Sequence, residues 1–304
     1  MKAQPVLRLA DVESARRRLA GGIRVTPCLP APTFSDAIGL GLRLKRDDLQ
    51  RTGSSRERGA RHALLCLNDT DRARGVVAAS AGSFAFGLAY HGSMLGIRVT
   101  IVLPAATPAV KVTHCRSLGA TIELHGASLA EARFHAAALA ASTGAVVVDP
   151  AADPTVGAGQ ATLALEVLEQ FPGLDTLVVP IGGGLWAGVT AVLREARPDV
   201  RVVGVQAAGA ENVTPVSAER FVTVSPDEIA AATNLLACRG GIVAGTVGAM
   251  PLAALLTGRV QPRAGGEVVL AVCAKCYDPR RHAETVARGA EWLERSRLVP
   301  GLAS

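Results

Sequence analysis

Aromatic residues are scarce in this chain, at 3% of its 304 positions. Too few rings are present to build the stacking platforms that hold single-stranded nucleic acid. Lysine is scarcer still: of the 32 basic residues, only Lys2, Lys45, Lys111 and Lys275 are lysines. Chemistry that needs a neutral amine must draw on that short set. The six cysteines are spread along the chain, which excludes the dense disulfide frameworks of small secreted domains. One close pair, Cys273-Ala274-Lys275-Cys276, has CxxC spacing but no second pair to complete a metal set, so packed thiols at a strand end are expected and no metal is. The opening Met1-Lys2-Ala3-Gln4-Pro5 lacks the apolar core of a signal peptide. Residues 176–193 carry no charge and have the length of a membrane span, but Pro180 and Gly182-Gly183-Gly184 interrupt them. A buried strand, a loop and a helix start fit that stretch better. The expectation is a soluble cytoplasmic protein without a membrane or nucleic-acid partner. The formal charge of +6 is scattered, and the densest run, Arg16-Arg17-Arg18, reads as a solvated helix face.

Apolar residues make up 49% of the chain, enough for a sizeable core. Short runs rich in valine recur at 76–79, 98–103, 120–124, 144–148, 176–179, 202–205 and 268–272, with helix-like segments between them, such as the alanine-rich 129–142. Strands of this kind alternating with helices predict parallel sheets flanked by helices, here as two α/β domains with a cleft between them.

Four stretches carry the chemistry. Thr52-Gly53-Ser54-Ser55-Arg56-Glu57-Arg58-Gly59-Ala60 and Ser80-Ala81-Gly82-Ser83-Phe84-Ala85-Phe86-Gly87 lie in the first half. Pro180-Ile181-Gly182-Gly183-Gly184-Leu185-Trp186 follows a strand and opens a helix. Glycines there let backbone N–H groups approach a phosphate, and a tight turn without ligand is the other reading. The fourth stretch is Cys273-Ala274-Lys275-Cys276.

In order, and over roughly residues 8 to 290, these motifs resemble the threonine dehydratase and serine racemase family, enzymes dependent on pyridoxal phosphate (PLP). The resemblance implies the two-domain α/β architecture of fold type II PLP enzymes, with a smaller domain at 50–148 and a larger one formed by 1–49 and 149–304. It implies that Ser83, Gly182, Gly183, Gly184, Leu185 and Cys273 face the cofactor, and that Ser80, Ala81, Gly82 and Phe84 belong to the loop that holds the substrate carboxylate. It also implies that Arg56 stands where the family places its Schiff-base lysine. A guanidinium stays protonated at protein pH and cannot attack the cofactor aldehyde. Further departures are the single-glycine shortening of the phosphate loop, apolar Phe84 and Phe86 in place of polar residues, Gly245 in place of an acid, and only 17 residues (207–223) where relatives place a longer segment carrying, in some members, a divalent-cation site.

The expectation is therefore a diverged threonine/serine dehydratase-like protein of the ammonia-lyase family with a degenerate PLP site. It would bind a small anion or an amino acid, with PLP noncovalent if bound at all, and would pair as a homodimer or with a complete homologue. The alternatives are altered chemistry in the same cleft within a specialised pathway, or a PLP-dependent lyase in which Lys275, its pKa lowered by burial, supplies the imine nitrogen.

Overall fold

A computed structural model describes residues 7–209 and 221–296. Among these residues the strands are β1 (Cys28–Pro30), β2 (Leu42–Lys45), β3 (Val76–Ala79), β4 (Val99–Leu103), β5 (Thr121–Leu124), β6 (Val146–Val147), β7 (Leu174–Pro180), β8 (Arg201–Ala207), β9 (Phe221–Val224) and β10 (Glu267–Ala271). The chain divides into two compact units. One takes the described residues up to Arg24 together with Gln50–Thr162, and the other takes Val25–Leu49 with the described residues from Leu163 onward.

The first unit holds a sheet ordered β5-β4-β3-β6 with parallel pairings. All four residues of β3 are buried, as expected for a strand covered on both faces. The alanine-rich helix Leu129–Thr143 lays Ala132 and Ala136 against Val77, Ala79 and Val102. Small side chains let the helix approach closely, and Ser128 caps its start by accepting from the Glu131 amide. Residues 7–24 and 149–162 pack within this unit. The cause is local packing. Helix Leu9–Leu19 lies on helix Arg56–Leu65. A Cβ on Gly159 would come within 2.7 Å of the Arg58 carbonyl, so helix Pro154–Gln170 meets the same helix almost backbone to backbone.

The second unit holds a sheet ordered β1-β2-β10-β7-β8-β9, parallel except for the antiparallel edge pair β1–β2. Its core gathers Leu42, Leu44, Val178, Val268 and Leu270 from the sheet, with Ile229, Leu235 and Leu252 from helices Pro226–Cys238 and Thr246–Leu256. Each such side chain contributes about 1.5–3 kcal/mol on burial. The uncharged run at 176–193 resolves as β7, a glycine turn and the start of helix Leu185–Ala196. No helix among the described residues is long and apolar enough to cross a membrane.

Candidate functional site

In the first unit, residues 52–55 form a buried turn with Gly53 at φ +68°, and helix Arg56–Leu65 follows directly. The helix start is fixed from beneath. The Glu57 carboxylate accepts from the Thr52 amide and hydroxyl and from His91 Nε2 at 3.2 Å. Arg61 Nη1 donates to His91 Nδ1 at 3.1 Å, so that nitrogen carries no proton and the imidazole is neutral. Burial pushes the His91 pKa down, as the hydrogen-bond pattern requires. Burial alone would raise the Glu57 carboxyl, yet the His91 and Thr52 donors outweigh it and leave the pKa below the ordinary value.

Arg56 sits on the first helical turn. Its Nη1 donates to Gln160 Oε1 at 2.7 Å, and its amide donates to Ser54 Oγ at 3.3 Å. Ser54 and Ser83 share a hydroxyl–hydroxyl hydrogen bond of 2.9 Å, which joins this turn to the start of helix Ser83–Leu95. Gly82 precedes that helix without a side-chain cap. Ser80 and Phe84 are buried, Ala81 is half-buried and Gly82 exposed. Phe86 is also buried, with its ring edge-on to His114 at 4.6 Å. Ser54, Ser83, Arg56 and Gln160 are thus brought together, with Phe84 adding apolar bulk beside them in sequence. The Ser55 hydroxyl is buried with no hydrogen-bond partner.

In the second unit, Gly182, Gly183 and Gly184 take φ values of +133°, +52° and +79°. Side chains rarely adopt this backbone, which explains the three glycines. Helix Leu185–Ala196 opens on Gly184, whose missing side chain offers no acceptor to the first-turn amides. Trp186 is buried next to this turn; its Nε1 has no partner and lies 2.7 Å from where a Gly204 Cβ would stand. Beyond the end of β10, Cys273 is buried and Cys276 half-buried, and neither forms a disulfide. No group of metal-ligating side chains occurs among the described residues. Lys275 is exposed, with its ammonium 5.3 Å over the Tyr277 ring, so the burial invoked for a relocated imine lysine is not found at this residue. Gly245 lies against the Lys275 carbonyl, 3.0 Å from where its own Cβ would be, leaving little room for the larger acid. The shortened segment 207–223 falls mostly outside the described residues.

Pyridoxal phosphate offers a phosphate and an aldehyde. The glycine turn and uncapped helix start suit the phosphate. The aldehyde finds no matching amine at residue 56, where the guanidinium is held by Gln160. Lys45 is fully buried and donates to Glu166 (2.6 Å), the Thr26 carbonyl and Gln170, and Lys111 lies half-buried on helix Ala109–Ser117. A guanidinium at residue 56 does not form an imine with an aldehyde, and the glycine turn of the second unit suits a phosphate.

The partnership of Gln160 with Arg56 spans 104 positions, and only the fold reveals it.

Comparison with known proteins gives the family. Residues 19–219 match the family model described as pyridoxal-phosphate dependent enzyme. An L-threonine ammonia-lyase of Thermotoga maritima is 41% identical over 66% of this chain and half of its own length. A catabolic L-threonine dehydratase of Staphylococcus aureus is 31% identical over 97% of this chain and 96% of its own. The structure of a threonine deaminase from Solanum lycopersicum superposes with a TM-score of 0.82 at 26% identity, covering 92% of this chain and 86% of that one. The open parallel sheets, the glycine turn ahead of helix Leu185–Ala196 and these matches together place the chain in the pyridoxal-phosphate dependent enzyme family.

Proposed function

We propose that this chain is a diverged member of the threonine dehydratase branch that binds a small anion or an amino acid and does not perform the family's imine chemistry. The observation that carries the proposal is the Arg56 guanidinium tied to Gln160, at the residue where the resemblance implies the family's lysine. A guanidinium gives up no proton at working pH and supplies no nucleophilic lone pair. It does suit carboxylate and phosphate, which it can grip with paired N–H groups.

In this reading the chain's own residues bind rather than react. Gln160 orients the guanidinium, and the Glu57–His91–Arg61 network holds the helix that carries it. Phe84 and Phe86 withhold hydrogen bonds that a polar substrate would need. The glycine turn favours a phosphate through its backbone and the adjoining helix end. PLP, when bound, supplies an electron sink for amino-acid carbanions, and here it would be held without a covalent link. A cytoplasmic location and assembly as a homodimer or with a complete homologue belong to the same proposal.

The test is to purify the chain with excess PLP, record the imine absorbance, reduce with borohydride and map labelled lysines by mass spectrometry. The expected result is no reducible adduct. A covalent, coloured adduct at Lys275 would favour the lyase alternative and overturn the binding-protein reading.

A further inference from the structure

A cavity of about 610 Å3 lies in the first unit, among residues unused by the site above, and its size is that of a small-molecule site. Helix Leu9–Leu19, the end of helix Arg56–Leu65 and the start of helix Pro154–Gln170 enclose it. Asp11, Ser14 and Arg18 recur at i, i+3 and i+7, so one face of helix Leu9–Leu19 lines it with a carboxylate, a hydroxyl and a guanidinium. His62 joins the lining and is only 5% exposed. Its Nδ1 is 2.7 Å from the Thr155 carbonyl. A carbonyl only accepts, so Nδ1 carries the ring proton and Nε2, on the far edge of the ring, holds a lone pair. Burial lowers the His62 pKa, which keeps the ring in this neutral form. Cys66 Sγ lies 3.6 Å from Nε2 and 4.0 Å from Nδ1, so the sulfur sits over the ring and off the lone-pair axis. A buried acceptor thus faces the cavity with no donor on its axis.

Arg18 is the matching cation. Its Nη1 donates to the same sulfur, a weak acceptor, at 3.0 Å, and no carboxylate among the described residues pairs with it. Both groups reach one sulfur, so the guanidinium and the Nε2 lone pair lie within the span of one small molecule. The guanidinium suits a carboxylate, and the lone pair calls for an N–H or O–H a few bonds away. Arg8 adds a second positive charge to the wall and Asp11 a negative one. Asp153, the other charged group near His62, is engaged by the Thr155 amide and hydroxyl. Asp11 is therefore the acid left to favour an ammonium over a hydroxyl as the donor.

We propose that this cavity is a second small-molecule site that holds an α-amino acid, with the carboxylate on Arg18 and the ammonium donating to His62 Nε2. It uses the opposite end of helix Arg56–Leu65 from Arg56 and needs no cofactor. A 2-oxo acid of the same skeleton offers the carboxylate but no donor, so it leaves the lone pair buried and unmatched.

The test is calorimetric titration of the full chain with L-alanine, L-lactate and pyruvate, acids that differ only in the ammonium, hydroxyl or oxo group on carbon 2. Arg56→Met, titrated in parallel, removes the cation of the site above, and circular dichroism checks the fold of each variant. In the Arg56→Met chain L-alanine is expected to bind about tenfold more tightly than pyruvate, with L-lactate between them. In the same background Arg18→Met, a change at an exposed residue, and His62→Phe are each expected to weaken L-alanine about tenfold. No binding of L-alanine to a folded Arg56→Met chain, or an affinity that Arg18→Met leaves unchanged, overturns the proposal. Pyruvate binding as tightly as L-alanine overturns the role of the His62 lone pair, and L-lactate binding more tightly than L-alanine overturns the assignment of an amino acid.

Discussion

Lys45 and Glu166 show how single residues constrain this protein. Both are buried, and Lys45 Nζ reaches Glu166 Oε2 at 2.6 Å from the end of β2. Removing one partner strands the other charge, so Glu166→Ala is expected to cost about 3–5 kcal/mol in urea unfolding. The double change Lys45→Met with Glu166→Leu should recover most of that loss. Arg56→Lys tests the site at the same scale. It restores an amine, but Phe84 and Gly245 keep their places, so serine and threonine deamination should stay about 100-fold or more below a complete relative. That Glu166, 121 positions away, is the partner of Lys45 could not be read from the chain alone.

Helices in the first unit meet where glycines remove the side-chain layer. Gly159→Ala would drive a Cβ to 2.7 Å from the Arg58 carbonyl, a backbone atom that cannot rotate away. A loss of about 1–3 kcal/mol in stability is expected, measured by thermal unfolding. Gln160 follows Gly159, so the same change should disturb the Arg56 contact. Valine-rich central strands such as β3 and β7 were legible because burial on both faces writes a continuous apolar run. The edge strands β1 and β9 were not. β1 is three residues long and ends in Pro30, and of the four residues of β9 only Val224 is buried. Helix Pro226–Cys238 opens on a Ser225–Glu228 capping box.

At the scale of the molecule, protonation couples several buried groups in one direction. His62 and His91 have pKa values below the ordinary 6.5, so the unfolded chain binds their protons first as pH falls. Stability from both is complete above 6.5 and is lost below it. Glu57, held below its ordinary 4.5, adds a second loss at lower pH, as protonation removes its bonds to His91 and Thr52. Urea midpoints should therefore fall between pH 7 and about 5.5 and fall again below about 4.5, and His91→Gln should flatten part of the first decline. The motif order made the family legible, but the Glu57–His91–Arg61 network was not, since His91 lies 34 positions from Glu57 and 30 from Arg61.

Trp186 has a practical consequence. The chain has two tryptophans, and this one is buried one residue beyond Gly182-Gly183-Gly184. An indole in so dry a setting emits toward the blue, and its emission answers to small shifts in the adjoining turn. The protein thus carries its own optical gauge beside the glycines, and a titration with inorganic phosphate can be followed in its fluorescence without any added dye.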